Sequence, residues 1–279
     1  MTDEEMAAFK NSLLRNRFIP VPALDRNFVS LNPANFLAEG IDLMRLLIKA
    51  GLEPHHSVLD LGCGIGRLAL PLTQYLSDQG YYRGVDINLS GIAWAHENIT
   101  QRYPRFEFVV LNARNIHYGA KHEYGQDDLT QTSLPVPDYL RFDMAAAMSL
   151  FTHLTWDELA WYFRKLSRLL KPGGVLVGTF FLMSERARAS IRAGRCPIPF
   201  DMDVPGPSYY GKDANGRFTA FAHDEGAFRD LLASCGLEIC SDSWRSGWEE
   251  TSTSADIIVL SNGPRTVAPP QRMACRLAH

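Results

Sequence analysis

Residues 58–67 read Val-Leu-Asp-Leu-Gly-Cys-Gly-Ile-Gly-Arg: a short apolar run that ends in an acid and opens into alternating glycines. Such a run reads as a buried strand, and glycines beyond its carboxyl end let backbone approach a ligand closely. Open α/β sheets bind their ligands at that end. A dinucleotide loop wants its third glycine at position 67, where this chain has Arg67, so the pattern is GxGxG, not GxGxxG. No Lys-Ser or Lys-Thr pair follows, which argues against nucleoside-triphosphate chemistry. Asp86 closes the next strand-like segment and can accept both hydroxyls of a ribose. Asn112-Ala113 follows the third and offers a side-chain amide and a backbone N–H to an adenine edge. Each has a plainer reading. Asp60 could cap a helix or hold the turn, Asp86 could be a helix N-terminal acid stabilised by the dipole, and Asn112 could be a turn former.

His153 lies in Met148-Ser149-Leu150-Phe151-Thr152-His153-Leu154, after the fourth apolar segment. An imidazole suits a general base near neutrality; the alternative is a histidine bonded to the start of the following helix. His223 precedes Asp224 at a helix start and reads as a cap rather than a catalyst. His55 and His56 read as solvated, and His96, His117 and His122 carry no pattern. Cys63, Cys196, Cys235, Cys240 and Cys275 are scattered and odd in number, with no CxxC pair, which disfavours zinc and a disulfide framework. Cys63 reads as a small turn residue. Tyr209 and Tyr210 lie in a Pro-rich segment, where plain packing is one reading. Trp244 and Trp248 are similarly balanced, and Trp94 either packs a helix or flanks an adenine.

The elements that must position these residues follow a regular alternation. Helices are expected over Met6–Leu14 and Asn35–Ala50, with Pro20 and Pro22 breaking the chain between them. Strands over 57–61, 81–86, 106–111, 142–147 and 175–181 alternate with helices over 67–76, 89–102 and 155–170. Thr155-Trp156-Asp157-Glu158 fits a capping box, and Lys171-Pro172-Gly173-Gly174 stops that helix. Residues 115–138 read as a long loop. Residues 183–222, with Pro197, Pro199, Pro205 and Pro207, read as an insertion. A helix over 224–234, strands over 237–240 and 255–260, and a loose tail from Gly263 complete the chain. Alternating strand and helix imply a parallel sheet covered on both faces.

The whole chain has 279 residues, 46% hydrophobic and 21% charged, a globular balance that excludes wholesale disorder. With a net charge of −3 and no long basic run, a non-specific nucleic-acid binder is not expected. No apolar stretch is long enough for a bilayer, and the acidic start lacks a signal-peptide layout. A cytoplasmic protein with neither nucleic-acid nor membrane partner is the expectation, and a homodimer is compatible with it.

The set of Asp60, Gly62, Gly64, Gly66, Asp86, Asn112-Ala113, the segment Phe142–Leu154 and Arg168-Leu169-Leu170-Lys171-Pro172-Gly173-Gly174 resembles the class I S-adenosylmethionine-dependent methyltransferases over roughly residues 55–182. Phe151-Thr152-His153-Leu154, Tyr82–Asp86 and Thr179–Leu182 resemble bacterial small-molecule and glycan-type members. The resemblance implies a Rossmann-like, doubly wound, seven-stranded sheet with its last strand antiparallel, a helical lead-in at 1–56, a methyltransferase domain at 57–262 with the inserted cap, and a tail at 263–279. It implies that Gly62 and Gly64 line the methionine part of S-adenosylmethionine, that Asp86 holds the ribose and that Asn112-Ala113 meets the adenine. Family members usually carry Asp at the position of Asn112. Asp60, Cys63, Gly66, Arg67, Ile87 and Met148 complete the expected cofactor lining, with S-adenosylhomocysteine as product.

The acceptor is expected to be a small or glycan-like molecule methylated at oxygen, with His153 as base and as an acceptor contact beside Tyr209 and Tyr210. N- or C-methylation of a natural-product intermediate, or a protein or peptide acceptor, are the alternatives, as is a binding module that has lost turnover. Adenine-N6 or glutamine methylation would want Asn-Pro-Pro-Tyr where this chain has Ala146-Ala147-Met148-Ser149. The ends of the fourth and fifth strands carry Ala147-Met148 and Phe181-Leu182 instead of acids, so no metal is expected there.

Overall fold

The computed structural model describes residues 1–16, 18–23, 35–113, 128–203, 206–212, 218–240, 246–250 and 254–264. Trp244, His117, His122, Cys275 and the tail beyond residue 264 lie outside them. The chain divides into two compact units, residues 1–146 and 147–279.

In the first unit, α1 (Asp3–Arg15) starts earlier than its apolar pattern suggests, because Thr2 and Glu5 form a capping box. The Thr2 hydroxyl accepts from the Glu5 amide at 3.1 Å, and the Glu5 carboxylate accepts from the Thr2 amide at 2.6 Å. α2 (Phe36–Lys49) buries Phe36, Leu37, Ile41, Met44 and Leu47, the face expected from their spacing. β1 (Ser57–Leu61), β2 (Tyr81–Asp86), β3 (Phe106–Val110) and β4 (Phe142–Ala147) are all parallel, in the order β3-β2-β1-β4. Their side chains are largely apolar and buried, as a parallel sheet covered on both faces demands. The Asp143 carboxylate accepts from both the amide and the hydroxyl of Ser57 and so ties the start of β1 to β4.

The helix expected over 67–76 is regular only as α3 (Ala69–Leu72). Pro71 has no N–H to continue the ladder, and the Thr73 hydroxyl takes the Leu70 carbonyl. The helix expected over 89–102 splits into α4 (Leu89–Ala95) and a π-helical stretch over His96–Thr100. Of the long loop after β3, the described part contains one 3-10 turn, Leu129–Gln131.

In the second unit, α5 (Trp156–Leu169) carries the expected capping box of Thr155 and Glu158. β5 runs from Leu170 to Met183, longer at both ends than its apolar core. It pairs antiparallel with β9 (Asp256–Asn262) from Val175↔Ser261 to Phe180↔Asp256. Its last residues, Phe181–Met183, pair parallel with β7 (Phe218–Asp224). β8 (Leu237–Ile239) extends β9 antiparallel. The seven expected strands are therefore present, with the last antiparallel. Two further strands lie in or overlap the segment expected to be an insertion: β6 (Ser208–Lys212) and β7 form an antiparallel hairpin after α6 (Glu185–Arg192). Phe181, Met183, Phe200, Tyr209, Ala222 and Trp248 form an apolar cluster around it. α7 (Glu225–Ser234) begins one residue later than expected, and its cap is Asp224, whose side chain accepts from the Ala227 amide at 2.8 Å. His223 is thus not a cap; it is the penultimate residue of β7. Among the described residues no helix is long and apolar enough to cross a membrane.

Candidate functional site

The glycine loop leaves β1 directly into a tight turn. Gly62, Gly64 and Gly66 all have positive φ, at 73°, 57° and 86°, which side-chain-bearing residues rarely adopt. The loop is clamped to the end of β2. The amides of Gly62 and Cys63 donate to the Val85 carbonyl at 2.8 and 3.2 Å. The Gly64 amide donates to one Asp86 carboxylate oxygen at 2.7 Å, and the Asn88 amide donates to the other at 2.8 Å. A carboxylate offers about four acceptor sites, so these bonds leave capacity for hydroxyl donors. Burial raises the pKa of Asp86, opposed by these backbone N–H groups. The donor set fits a ribose diol held beside a glycine turn.

Asp60 is buried beneath the turn and accepts from the Tyr82 hydroxyl at 2.6 Å. Desolvation pushes its pKa up to about 7, against the Tyr82 hydrogen bond and with the Asp86 charge adding to the rise. Its hydrogen bond is to Tyr82, and it caps no helix. Cys63 is buried against Gly84, and burial pushes its thiol well above the ordinary value, as suits a packing residue. The Arg67 guanidinium pairs with Glu39 of α2 at 2.9 Å. Gly40, next to Glu39, lets α2 touch the loop: a Cβ there would stand 2.2 Å from the Arg67 carbonyl oxygen. Ile87 is half-buried and precedes Asn88, which caps α4 by accepting from the Gly91 amide. Trp94 is buried in α4. Asn112 is exposed after β3, Ala113 is buried, and the Leu111 amide donates to the Asp86 carbonyl at 2.8 Å. The first unit thus bonds the glycine loop to Val85 and Asp86, with Asp60 buried on β1 and bonded to Tyr82, and with Asn112-Ala113 one bonded strand away.

In the second unit, Met148 is half-buried in the turn after β4, and Ser149 beside it has φ of 59°, a left-handed conformation unusual for a residue with a side chain. The Ser149 amide donates to the Thr179 hydroxyl at 2.7 Å. His153 ends a 3-10 turn, Phe151–His153, and is half-buried; desolvation lowers its pKa, so the ring is neutral near pH 7. Tyr209 is buried in the apolar cluster, and its hydroxyl accepts from Arg188 at 2.8 Å. Tyr210 points outward, against Phe221 with ring centroids 4.9 Å apart. Trp248 is buried in the cluster with Tyr209. His223 is fully buried, and burial lowers its pKa to about 4.

Several participants escape the sequence reading. Glu39 and Gly40 serve the loop from α2 and Tyr82 bonds Asp60 from β2, packing that no local motif announces. Glu53, His55 and His56 place one ligand-type atom each within 4.8 Å of one another, ahead of β1; Glu53 and His55 are exposed.

Residues 59–176 match the family described as a methyltransferase domain. A tRNA1(Val) (adenine(37)-N6)-methyltransferase of Serratia proteamaculans (strain 568) is 32% identical over 176 residues, covering 60% of this chain and 66% of the relative. A tRNA N(3)-cytidine methyltransferase of Danio rerio is 23% identical over 188 residues, covering 67% of this chain and 46% of the relative. The chain spans about half the length of such cytidine-modifying relatives. Among solved structures, magnesium protoporphyrin IX methyltransferase of Synechocystis PCC 6803 with bound SAH superposes with a TM-score of 0.51 at 18% identity, covering 92% of this chain and 96% of that one. The 1,6-didemethyltoxoflavin-N1-methyltransferase of Burkholderia thailandensis gives 0.50 at 17% identity, covering 95% and 92%. At these identities the structures share the fold.

Proposed function

We propose, from the match of residues 59–176 to a methyltransferase domain, that the chain methylates a small-molecule or glycan-like acceptor at oxygen, using S-adenosylmethionine and leaving S-adenosylhomocysteine. The observation that carries the cofactor half is the Asp86 carboxylate bonded to the Gly64 amide of a positive-φ glycine turn. It supports a diol reader and a close-approach backbone within one cluster. The cofactor, when bound, supplies an electrophilic methyl group and a good thioether leaving group. Asp86 binds the ribose hydroxyls, Gly62 and Gly64 face the methionine part, and Asn112-Ala113 meet the adenine. Asp60, Cys63, Gly66, Arg67, Ile87 and Met148 complete the lining. His153, neutral near pH 7, would take the proton from the acceptor hydroxyl, and the cofactor would supply the methyl group and leave as the thioether. Tyr209 and Tyr210 are the proposed acceptor contacts. The same proposal includes the boundaries at 56 and 262, the cap at 183–222 and a cytoplasmic location.

Calorimetric titration with S-adenosylhomocysteine, with NADH as control, tests the cofactor. Wild type binds it and Asp86→Ala loses affinity by about 10- to 100-fold, the worth of hydrogen bonds to a charged group. Binding of NADH alone, or of neither, rejects the reading. With a labelled donor and a hydroxyl acceptor, His153→Ala lowers kcat by about 10²- to 10⁴-fold. The wild-type rate falls only at a pH below the ordinary histidine value, because the neutral ring is active and its pKa is lowered. Unchanged turnover in His153→Ala favours an amine acceptor and the N-methylation alternative.

A second reading, an RNA acceptor, is favoured by the names of the curated relatives. Against it stand the net charge of −3 and Ala146-Ala147-Met148-Ser149 in place of the Asn-Pro-Pro-Tyr that adenine-N6 chemistry wants. Label transfer to bulk tRNA, set beside transfer to a panel of small hydroxyl compounds, separates the two.

A further inference from the structure

We propose that Ser208 and His223 position the turn that carries His153: the Ser208 hydroxyl donates to His223 Nδ1, the ring proton therefore sits on Nε2, and that N–H is donated to the Phe151 carbonyl. Ser208 Oγ lies 2.8 Å from Nδ1, and Nε2 lies 3.4 Å from the Phe151 oxygen. A backbone carbonyl only accepts, so Nε2 must be the donor; in a neutral ring Nδ1 must then accept, and the hydroxyl donates to it. His223 is fully buried and neighbours the rings of Trp156 and Phe221, which disfavours the charged ring.

The turn is pinned elsewhere as well. The Ser149 amide is held by Thr179. The Phe151 ring stacks on Phe180 with centroids 4.9 Å apart. Thr155 is locked into its capping box. The Phe151 carbonyl also closes the turn by accepting from the Leu154 amide at 3.4 Å. His223 adds a buried side-chain donor to this same carbonyl. Ser208 is the first residue of β6 and His223 lies in β7, so the hairpin added by the insertion reaches the backbone two residues before His153. The role in catalysis rests on the proposed reading of His153 as base; the positioning of the turn does not.

The test is imidazole nitrogen–proton correlation spectroscopy on the full-length, nitrogen-15-labelled protein. His223 is expected to be neutral with its proton on Nε2 between pH 6 and 8, and Ser208→Ala is expected to move the Nδ1 resonance. In His223→Phe, which fills the space without a donor, the His153 ring signals broaden or their titration midpoint moves toward the ordinary histidine value. In His223→Gln, whose amide can place an N–H near the position of Nε2, they return toward wild type. A proton on Nδ1 of His223, or a His153 titration unaltered in His223→Phe, overturns the proposal. Should His223→Phe fail to fold, Ser208→Ala serves alone: a shifted His153 signal supports positioning and an unshifted one refutes it. S-adenosylhomocysteine binding is measured in parallel on wild type. Its absence removes the catalytic reading, while the spectra still decide whether His223 holds the turn.

Discussion

Asp60 and Tyr82 are joined by a 2.6 Å hydrogen bond in a fully buried setting, and the carboxyl titrates near pH 7 instead of near 4. Between about pH 4 and 7 the folded state therefore keeps a proton that the unfolded chain has released. Stability conferred by this group falls as pH rises across that window. Asp60→Asn cannot titrate, and its amide oxygen can still accept from Tyr82. Between pH 5 and pH 8, urea denaturation is expected to show wild type losing more stability, or gaining less, than the variant; in both proteins Asp86 adds a slope of the same sign as Asp60, and His153 and His223 one of opposite sign. An equal change in both proteins would place the titration elsewhere. At this scale the glycines and the two acids are legible in the chain, because their types and spacing are local. The partner of Asp60 is not. Asp60 lies opposite Gly84 in the β1–β2 register, yet it is bonded by Tyr82, two residues earlier on the neighbouring strand. Which side chain reaches across is decided by packing, not by spacing.

Among the elements, α2 lies against the glycine loop at Gly40. An alanine in a helix interior is ordinarily favoured over glycine by about 1 kcal/mol. Here its Cβ would meet a backbone oxygen at 2.2 Å, and overpacking of this kind costs about 1–3 kcal/mol. The second effect wins, so Gly40→Ala is expected to lower the melting temperature and to weaken S-adenosylhomocysteine binding through the displaced Arg67 carbonyl. A raised melting temperature would show that helix and loop are not in contact. The long amphipathic helices α2 and α5 are legible because the apolar period holds over three or more turns, with a capping box opening α5. α3 is shortened by Pro71 and Thr73, local competitors that an apolar tally overlooks. β6 and β7 are hidden because their surroundings are rich in proline and their pairing is to β5 and to each other.

At the scale of the molecule, the glycine loop and Asp86 belong to the first compact unit and His153 to the second. A ligand present at 100 times its Kd stabilises the protein by about 2.7 kcal/mol. With saturating S-adenosylhomocysteine, amide exchange is expected to slow at residues 62–66, 86–88 and 111–113, which form or adjoin the Asp86 cluster. Protection confined to residues 206–224 would place the ligand on the hairpin and refute the assignment. The class of fold is legible at this scale because strand and helix signals alternate along much of the chain. The acceptor is not, since fold leaves it open.

The 14-residue β5 has a bearing on how such a chain can diversify. One stretch of its backbone, Val175–Phe180, is committed to β9, and the next, Phe181–Met183, to the hairpin. The two commitments share a strand and no residue. Selection can therefore lengthen, shorten or replace the hairpin like an exchangeable cartridge while the β5–β9 ladder keeps its register. Any replacement must still cover the hydrogen-bonding edge at 181–183, or the strand would offer that edge to a neighbouring chain.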